Sequence, residues 1–140
     1  MNPIEAVTSV LRDYATFRGR ARRAEYWWWT LARLVLTVLA CVLVLLVDAT
    51  GVDLLSTALG VTLVVGYLGL LLPSLAVTVR RLHDTGRSGW WYLIAFVPLG
   101  GLVLLGFECT ESTPGPNRFG PNPKGVHEHA DPYQQYAGHR

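Results

Sequence analysis

The fold class predicted for this 140-residue chain is an all-α integral membrane protein, with about three transmembrane helices between a short N-terminal amphipathic helix and a Pro/Gly-rich C-terminal tail. Three observations predict it. Hydrophobic residues make up 51% of the sequence and charged ones 16%, against about 25% charged in ordinary soluble domains. Charge is absent from three long stretches: 14 residues between Arg33 and Asp48, 26 between Asp53 and Arg80, and 20 between Arg87 and Glu108. A soluble fold of this length would have to bury all three with few charged residues left to cover them. Finally, Tyr26, Trp27, Trp28 and Trp29 stand together at the start of the first apolar run, where amphipathic rings sit at headgroup level.

Taken in order, residues 3–15 form a short amphipathic helix. Asn2 can cap it, Pro3 suits its first turn, and Ile4, Val7, Leu11 and Tyr14 follow the helical period. It either lies on the membrane surface or packs on the other segments. The first 25 residues lack the apolar core of a cleavable signal peptide and carry Arg12, Arg18, Arg20, Arg22 and Arg23. Insertion is therefore expected to rely on the first span itself, residues 26–47.

The second span, residues 54–79, extends about 39 Å at 1.5 Å per residue and has Pro73 as its natural bend point. Ser56 and Gly60, then Thr62 and Gly66, sit four apart and would permit close helix approach. The third span, residues 90–107, reaches only about 27 Å and is interrupted by Pro98, Gly100 and Gly101. It either crosses or enters and returns on the same side. Crossing is the expectation, with the tail outside.

The remaining segment contains most of the chain's prolines, and residues 124–140 read as a disordered tail. His127-Glu128-His129 within it lacks the spacing of a zinc site, so neither a metal nor another cofactor is expected. Cys41 and Cys109 sit at different depths and are not expected to pair.

Five arginines precede the first span and three more, Arg80, Arg81 and Arg87, separate the second from the third. The first connecting loop carries only Asp48 and Asp53. Basic residues accumulate on the cytoplasmic side. The N-terminus and the second loop are thus expected to be cytoplasmic in a multi-pass protein.

That topology puts two basic-aromatic clusters on one face. The first contributes Arg18, Arg20, Arg22, Arg23 and Glu25; the second contributes Arg80, Arg81, His83, Asp84, Arg87 and Trp90. Each juxtamembrane cation is worth on the order of 1 kcal/mol with anionic lipid, and arginine grips phosphate through paired hydrogen bonds. The plainer reading is that the arginines only set orientation. Glu25 and Asp84 are not needed for that, and would instead pair with arginines to fix the two loops together. Arg33 stands apart inside an apolar stretch, about 10 Å along the helix from Tyr26. It either snorkels to the headgroups or, with Thr30 and Thr37, forms a polar stripe toward another helix.

At these clusters the sequence resembles the small bacterial membrane proteins of the domain of unknown function 805 family. The matching stretches are Phe17-Arg18-Gly19-Arg20-Ala21-Arg22-Arg23 with Glu25-Tyr26-Trp27, then Arg80-Arg81-Leu82-His83-Asp84 with Ser88, Trp90 and Trp91. The third runs from Thr113-Pro114-Gly115-Pro116-Asn117-Arg118 to Phe119-Gly120-Pro121-Asn122-Pro123. The resemblance implies a family domain over residues 1–123, a bacterial inner-membrane location, a fold of a few helices and order in the proline-rich third motif. It brings no established activity and no catalytic residues.

The function expected from the residues is a non-enzymatic membrane module whose cytoplasmic Arg/Trp face binds anionic lipid headgroups or a partner protein. The alternatives are an oligomeric transporter or channel subunit using Arg33, Gly60, Gly66 and Pro73, and a membrane enzyme acting on a lipid phosphate through His83 and Asp84. Nucleic acid is not an expected partner, because the basic clusters adjoin apolar spans and no nucleic-acid module is present.

Overall fold

The computed structural model describes residues 1–124, and its described elements are helical. Helix α1, Pro3–Arg12, begins with a capping box: the Asn2 side chain accepts from the Glu5 amide at 2.8 Å, and the Glu5 carboxylate accepts from the Asn2 amide at 3.0 Å. Its Ala6 and Val10 are buried. These two residues pack on the other segments, while Ile4 and Leu11 of the same helix stay exposed.

Helices α2, Arg23–Asp48, and α3, Asp53–Asp84, form an antiparallel hairpin. Both are long and apolar enough to cross a membrane. At 1.5 Å per residue they extend about 39 and 48 Å, beyond a hydrocarbon core of about 30 Å. Leu34, Leu39, Leu45, Val64, Val65 and Leu68 point outward along them. Such exposure would be costly in water and is ordinary in lipid. The compact core, formed by Val10, Ala21, Trp29 and Val77, lies near one end of the hairpin. There the Trp29 indole donates to the Ser74 hydroxyl at 3.1 Å.

Pro73 lies inside α3. Having no amide proton, it cannot bond the carbonyl one turn earlier, that of Gly69. The Tyr14 hydroxyl donates to that carbonyl instead. An orphan carbonyl at membrane depth costs several kcal/mol, so this one bond explains how α3 tolerates its proline and why the segment after α1 stays against the hairpin.

The third apolar stretch departs from expectation. Instead of one helix over residues 90–107, it forms a 3-10 helix, Gly89–Phe96, and a short helix α4, Gly100–Cys109. These reach only about 16 Å and 15 Å. The chain turns sharply between them. Pro98 cannot continue a hydrogen-bonded ladder, Leu99 takes a left-handed φ of 62°, and a Cβ on Gly100 would stand 1.7 Å from the Ile94 carbonyl oxygen. The two pieces pack against each other.

Both ends of this stretch meet the same end of α3. Gly89 abuts Val79 and His83, while Arg81 donates to the Glu108 carbonyl at 3.1 Å. The stretch therefore leaves and returns to one end of the hairpin, the end that also carries both arginine clusters. The single helix expected over residues 90–107 is thus replaced by a pair of short helices, because Pro98 and Gly100 break it at the middle. The expected disordered tail and its His127-Glu128-His129 lie outside the described residues, apart from Lys124.

Candidate functional site

At the polar end, the C-terminus of α3 is closed by Gly86, whose φ of 75° suits a residue without a Cβ. Its amide reaches the His83 carbonyl at 3.0 Å and the Arg87 amide reaches the Leu82 carbonyl at 2.9 Å. This cap fixes the direction of the last turn, and with it Arg80, Arg81, His83 and Asp84.

Asp84 is fully buried and is the hub of the site. One carboxylate oxygen accepts from Arg20 Nε at 2.9 Å. The other accepts from Arg81 and from the Ser112 hydroxyl. Arg20 also donates to the carbonyls of Thr113 and Gly115, both at 2.8 Å. Arg81 donates to the carbonyls of Glu108 and Thr110. Two guanidiniums from different motifs thus share one carboxylate, and their remaining protons bind the backbone of residues 108–115. The Asp84 carbonyl completes the clasp by accepting from the Thr113 amide at 3.0 Å.

Arg80 faces the other way. It is 4% exposed and pairs with Asp13 at 3.0 Å and with Glu25 at 3.1 Å. Only the Asp13 contact has hydrogen-bond geometry. Glu25 also accepts from the Ser9 hydroxyl at 3.3 Å. The Arg80 carbonyl accepts from the Ala21 amide at 3.0 Å, so the two arginine motifs are joined through backbone as well as charge.

His83 lies flat against Phe119, with ring centroids 3.8 Å apart and planes 4° from parallel. Its Nδ1 is 3.2 Å from the Gly19 carbonyl oxygen. Its backbone carbonyl accepts from the Asn117 side chain at 2.9 Å. Burial holds its pKa below the ordinary value, countered by the Gly19 carbonyl and assisted by the Arg118 charge. Adjacent in sequence, His83 and Asp84 have separate partners and form no acid–base pair.

The candidate residues therefore fall into two groups. Arg20, Glu25, Arg80, Arg81 and Asp84 are buried in the interior of the polar end. Arg18, Arg22, Arg23, Arg87 and Trp90 lie outside it to different degrees. Arg22 donates to the Pro123 carbonyl at 2.6 Å, Arg23 pairs with the exposed Glu111, and Arg87 stacks 4.0 Å over the Phe107 ring. Arg18 is exposed and makes no hydrogen bond or ion pair among the described residues. Arg33 is half-exposed on α2, within electrostatic reach of the Tyr26 hydroxyl toward the polar end. Thr37 bonds its own helix at the Arg33 carbonyl, 2.8 Å away, rather than extending a polar stripe.

Sequence reasoning missed Asp13, Glu108 and the carbonyls of residues 108–115 as partners. Glu108 is 2% exposed, and its Oε1 has no partner among the described residues. A lone carboxylate closing an apolar run was the available signal. No cluster of three or more metal-ligating side chains occurs among the described residues.

The family model described as "Protein of unknown function (DUF805)" matches residues 14–121. The chain is 43% identical to the inner membrane protein YhaH of Escherichia coli K12 over 119 residues, covering 82% of this chain and 93% of that protein. It is 46% identical to the inner membrane protein YhaI of the same organism over 117 residues, covering 83% and 92%. The uncharacterised protein YiiR is 34% identical over 90 residues, 64% of this chain and 53% of YiiR. No solved structure matches the chain at a significant level.

Proposed function

Since the chain belongs to the DUF805 family, whose close relatives here are bacterial inner membrane proteins, we propose that it is a non-enzymatic membrane module whose polar end docks on anionic lipid headgroups at the cytoplasmic surface. The observation that carries this reading is the division of the arginines. The buried set is consumed by Asp84, Glu25, Asp13 and backbone carbonyls, and builds the scaffold. In the outer set Arg22 and Arg23 make one polar contact each, to the Pro123 carbonyl and Glu111. Arg87 lies on a ring and Arg18 has no polar partner among the described residues, which leaves guanidinium protons to meet phosphates.

Charge supports the orientation. In a re-entrant arrangement the N-terminal cluster, the second cluster, Arg118 and Lys124 share one end of the hairpin, while the opposite turn carries Asp48 and Asp53. This is the bias of a two-span protein with both described termini cytoplasmic. Each outer cation contributes on the order of 1 kcal/mol to a surface rich in anionic lipid.

The test is native mass spectrometry of protein carrying lipids, wild type beside Arg18→Gln/Arg22→Gln/Arg87→Gln. Retained phosphatidylglycerol or cardiolipin should fall in the variant while thermal stability holds. Unchanged retention would reduce these arginines to orientation signals, and a co-purifying protein lost in the variant would replace lipid as the partner.

A further inference from the structure

Beside the arginine lock a cleft of about 420 Å³ opens between α3 and the 3-10 helix, lined chiefly by Phe17, Leu75, Val79, His83, Ser88 and Leu93. Its walls are mostly apolar, and Trp90, 79% exposed, stands at its rim. The lock makes no use of it. Its main polar feature is the outer nitrogen of His83. A carbonyl oxygen only accepts, so the 3.2 Å contact with Gly19 puts the ring proton on Nδ1. In the neutral ring Nε2 is then an acceptor, and it makes no hydrogen bond among the described residues. Stacking on Phe119 keeps the ring from turning away. Two arginines adjoin lining residues in the chain: Arg18 follows Phe17 and precedes Gly19, which orients His83, and Arg87, stacked on Phe107, directly precedes Ser88.

We propose that this cleft is a binding site for one anionic glycerophospholipid with a hydroxylated headgroup, a phosphatidylglycerol-type lipid. An acyl chain lies along Leu75, Val79 and Leu93, the phosphodiester meets Arg18 and Arg87, and a headgroup hydroxyl donates to His83 Nε2. This rests on the reading of the outer arginines as a lipid-facing set and adds the site and the headgroup. Apolar walls, a charged rim and one oriented acceptor match the three parts of such a lipid in order. A zwitterionic choline headgroup has no proton to donate to the imidazole. Burial, which disfavours imidazolium, keeps the acceptor available at neutral pH.

The experiment is lipid retention by native mass spectrometry, offering phosphatidylglycerol, phosphatidylethanol and phosphatidylcholine separately to the full-length protein. The first two carry the same phosphodiester charge, and only the first has headgroup hydroxyls. Wild type should retain phosphatidylglycerol about fivefold better than phosphatidylethanol, the worth of one hydrogen bond. His83→Asn, whose Nδ2 can keep the Gly19 bond while its only acceptor, Oδ1, falls short of the Nε2 position, should erase that preference. Leu93→Trp, which fills the cleft, should lower retention of both. Equal retention of the two anionic lipids by wild type, both above phosphatidylcholine, would overturn the cleft and leave the cationic surface standing. No excess over phosphatidylcholine would overturn both. A preference that survives both substitutions would also overturn the cleft. Should His83→Asn fail to accumulate, the ¹⁵N resonance of His83 Nε2 in wild type serves instead: it should move with phosphatidylglycerol and not with phosphatidylethanol, and a static resonance would overturn the site.

Discussion

Around Asp84 the side chains are fixed by hydrogen bonds in a buried interior, whereas over residues 35–47 and 54–68 the same chain offers mainly apolar surface and small residues. Arg20, Arg81, Ser112 and Thr113 converge on one aspartate from separate parts of the sequence. Along the hairpin, a Cβ added at Gly60 or Gly66 would meet nothing within 4 Å. The difference follows from the solvent. Lipid gives apolar helices little reason to associate, so specificity must come from polar bonds, and these are placed where the chain leaves the hydrocarbon. Substitutions should therefore be severe at the polar end and mild along the hairpin.

The largest effect is expected for Asp84→Asn. It leaves Arg20 and Arg81 buried without their carboxylate, a loss of about 3–5 kcal/mol, visible as a large drop in folded yield and in thermal stability in detergent. A variant within about 1 kcal/mol of wild type would mean that the clasp is not what holds this end.

Tyr14→Phe comes next, since it orphans the Gly69 carbonyl freed by Pro73. The expected loss is about 1–3 kcal/mol, read from the unfolding midpoint. Replacing Pro73 with Ala in the same background should recover most of it by restoring the helical amide. No recovery would show that the hydroxyl stabilises by some other contact.

A smaller, pH-dependent effect belongs to His83. Its folded pKa lies below the ordinary 6.5, chiefly through burial. The native state favours the neutral ring, so this stability is complete above about 6.5 and is lost as pH falls from there through the folded value. Glu108 runs oppositely: burial raises its carboxyl, against Tyr26 and Arg81. Its contribution is present at low pH and is lost as pH rises through its folded value. Comparing wild type with His83→Asn separates the two. Between about pH 7.5 and 5.5 the variant should lose less thermal stability than wild type, and equal losses would contradict the assignment.

Gly60→Ala should be the mildest change, within about 0.5 kcal/mol, because nothing occupies the space it enters. A clear loss of stability or of oligomer in lipid would reveal a helix partner on that face.

Much of the hairpin was legible in the sequence, because long charge-free runs have few physical outcomes. The cap at Asn2 and the weakness of the third stretch at Pro98 and Gly100 were legible for similarly local reasons. The sequence also offered the pairing of Glu25 and Asp84 with arginines, but not its allocation. Nothing in the pattern distinguishes Arg80, which turns to Asp13, from Arg81, which turns to Asp84. Nor could periodicity reveal that Arg20 binds the carbonyls of Thr113 and Gly115, since backbone acceptors carry no residue signature. Whether the third stretch crosses or returns depends on those same bonds, which draw Glu108 and Thr113 back to α3.

The most direct test is therefore the sidedness of residue 111. In a Cys41→Ser/Cys109→Ser background, single cysteines at Thr16, Thr50 and Glu111 would be exposed to a membrane-impermeant thiol reagent in sealed vesicles of known orientation. Glu111→Cys should label from the same side as Thr16→Cys and opposite Thr50→Cys, since one end of the third apolar stretch abuts Val79 and His83 and the other meets Arg81. Labelling of Glu111→Cys together with Thr50→Cys would mean three crossings, and the arginine clasp could not form as described.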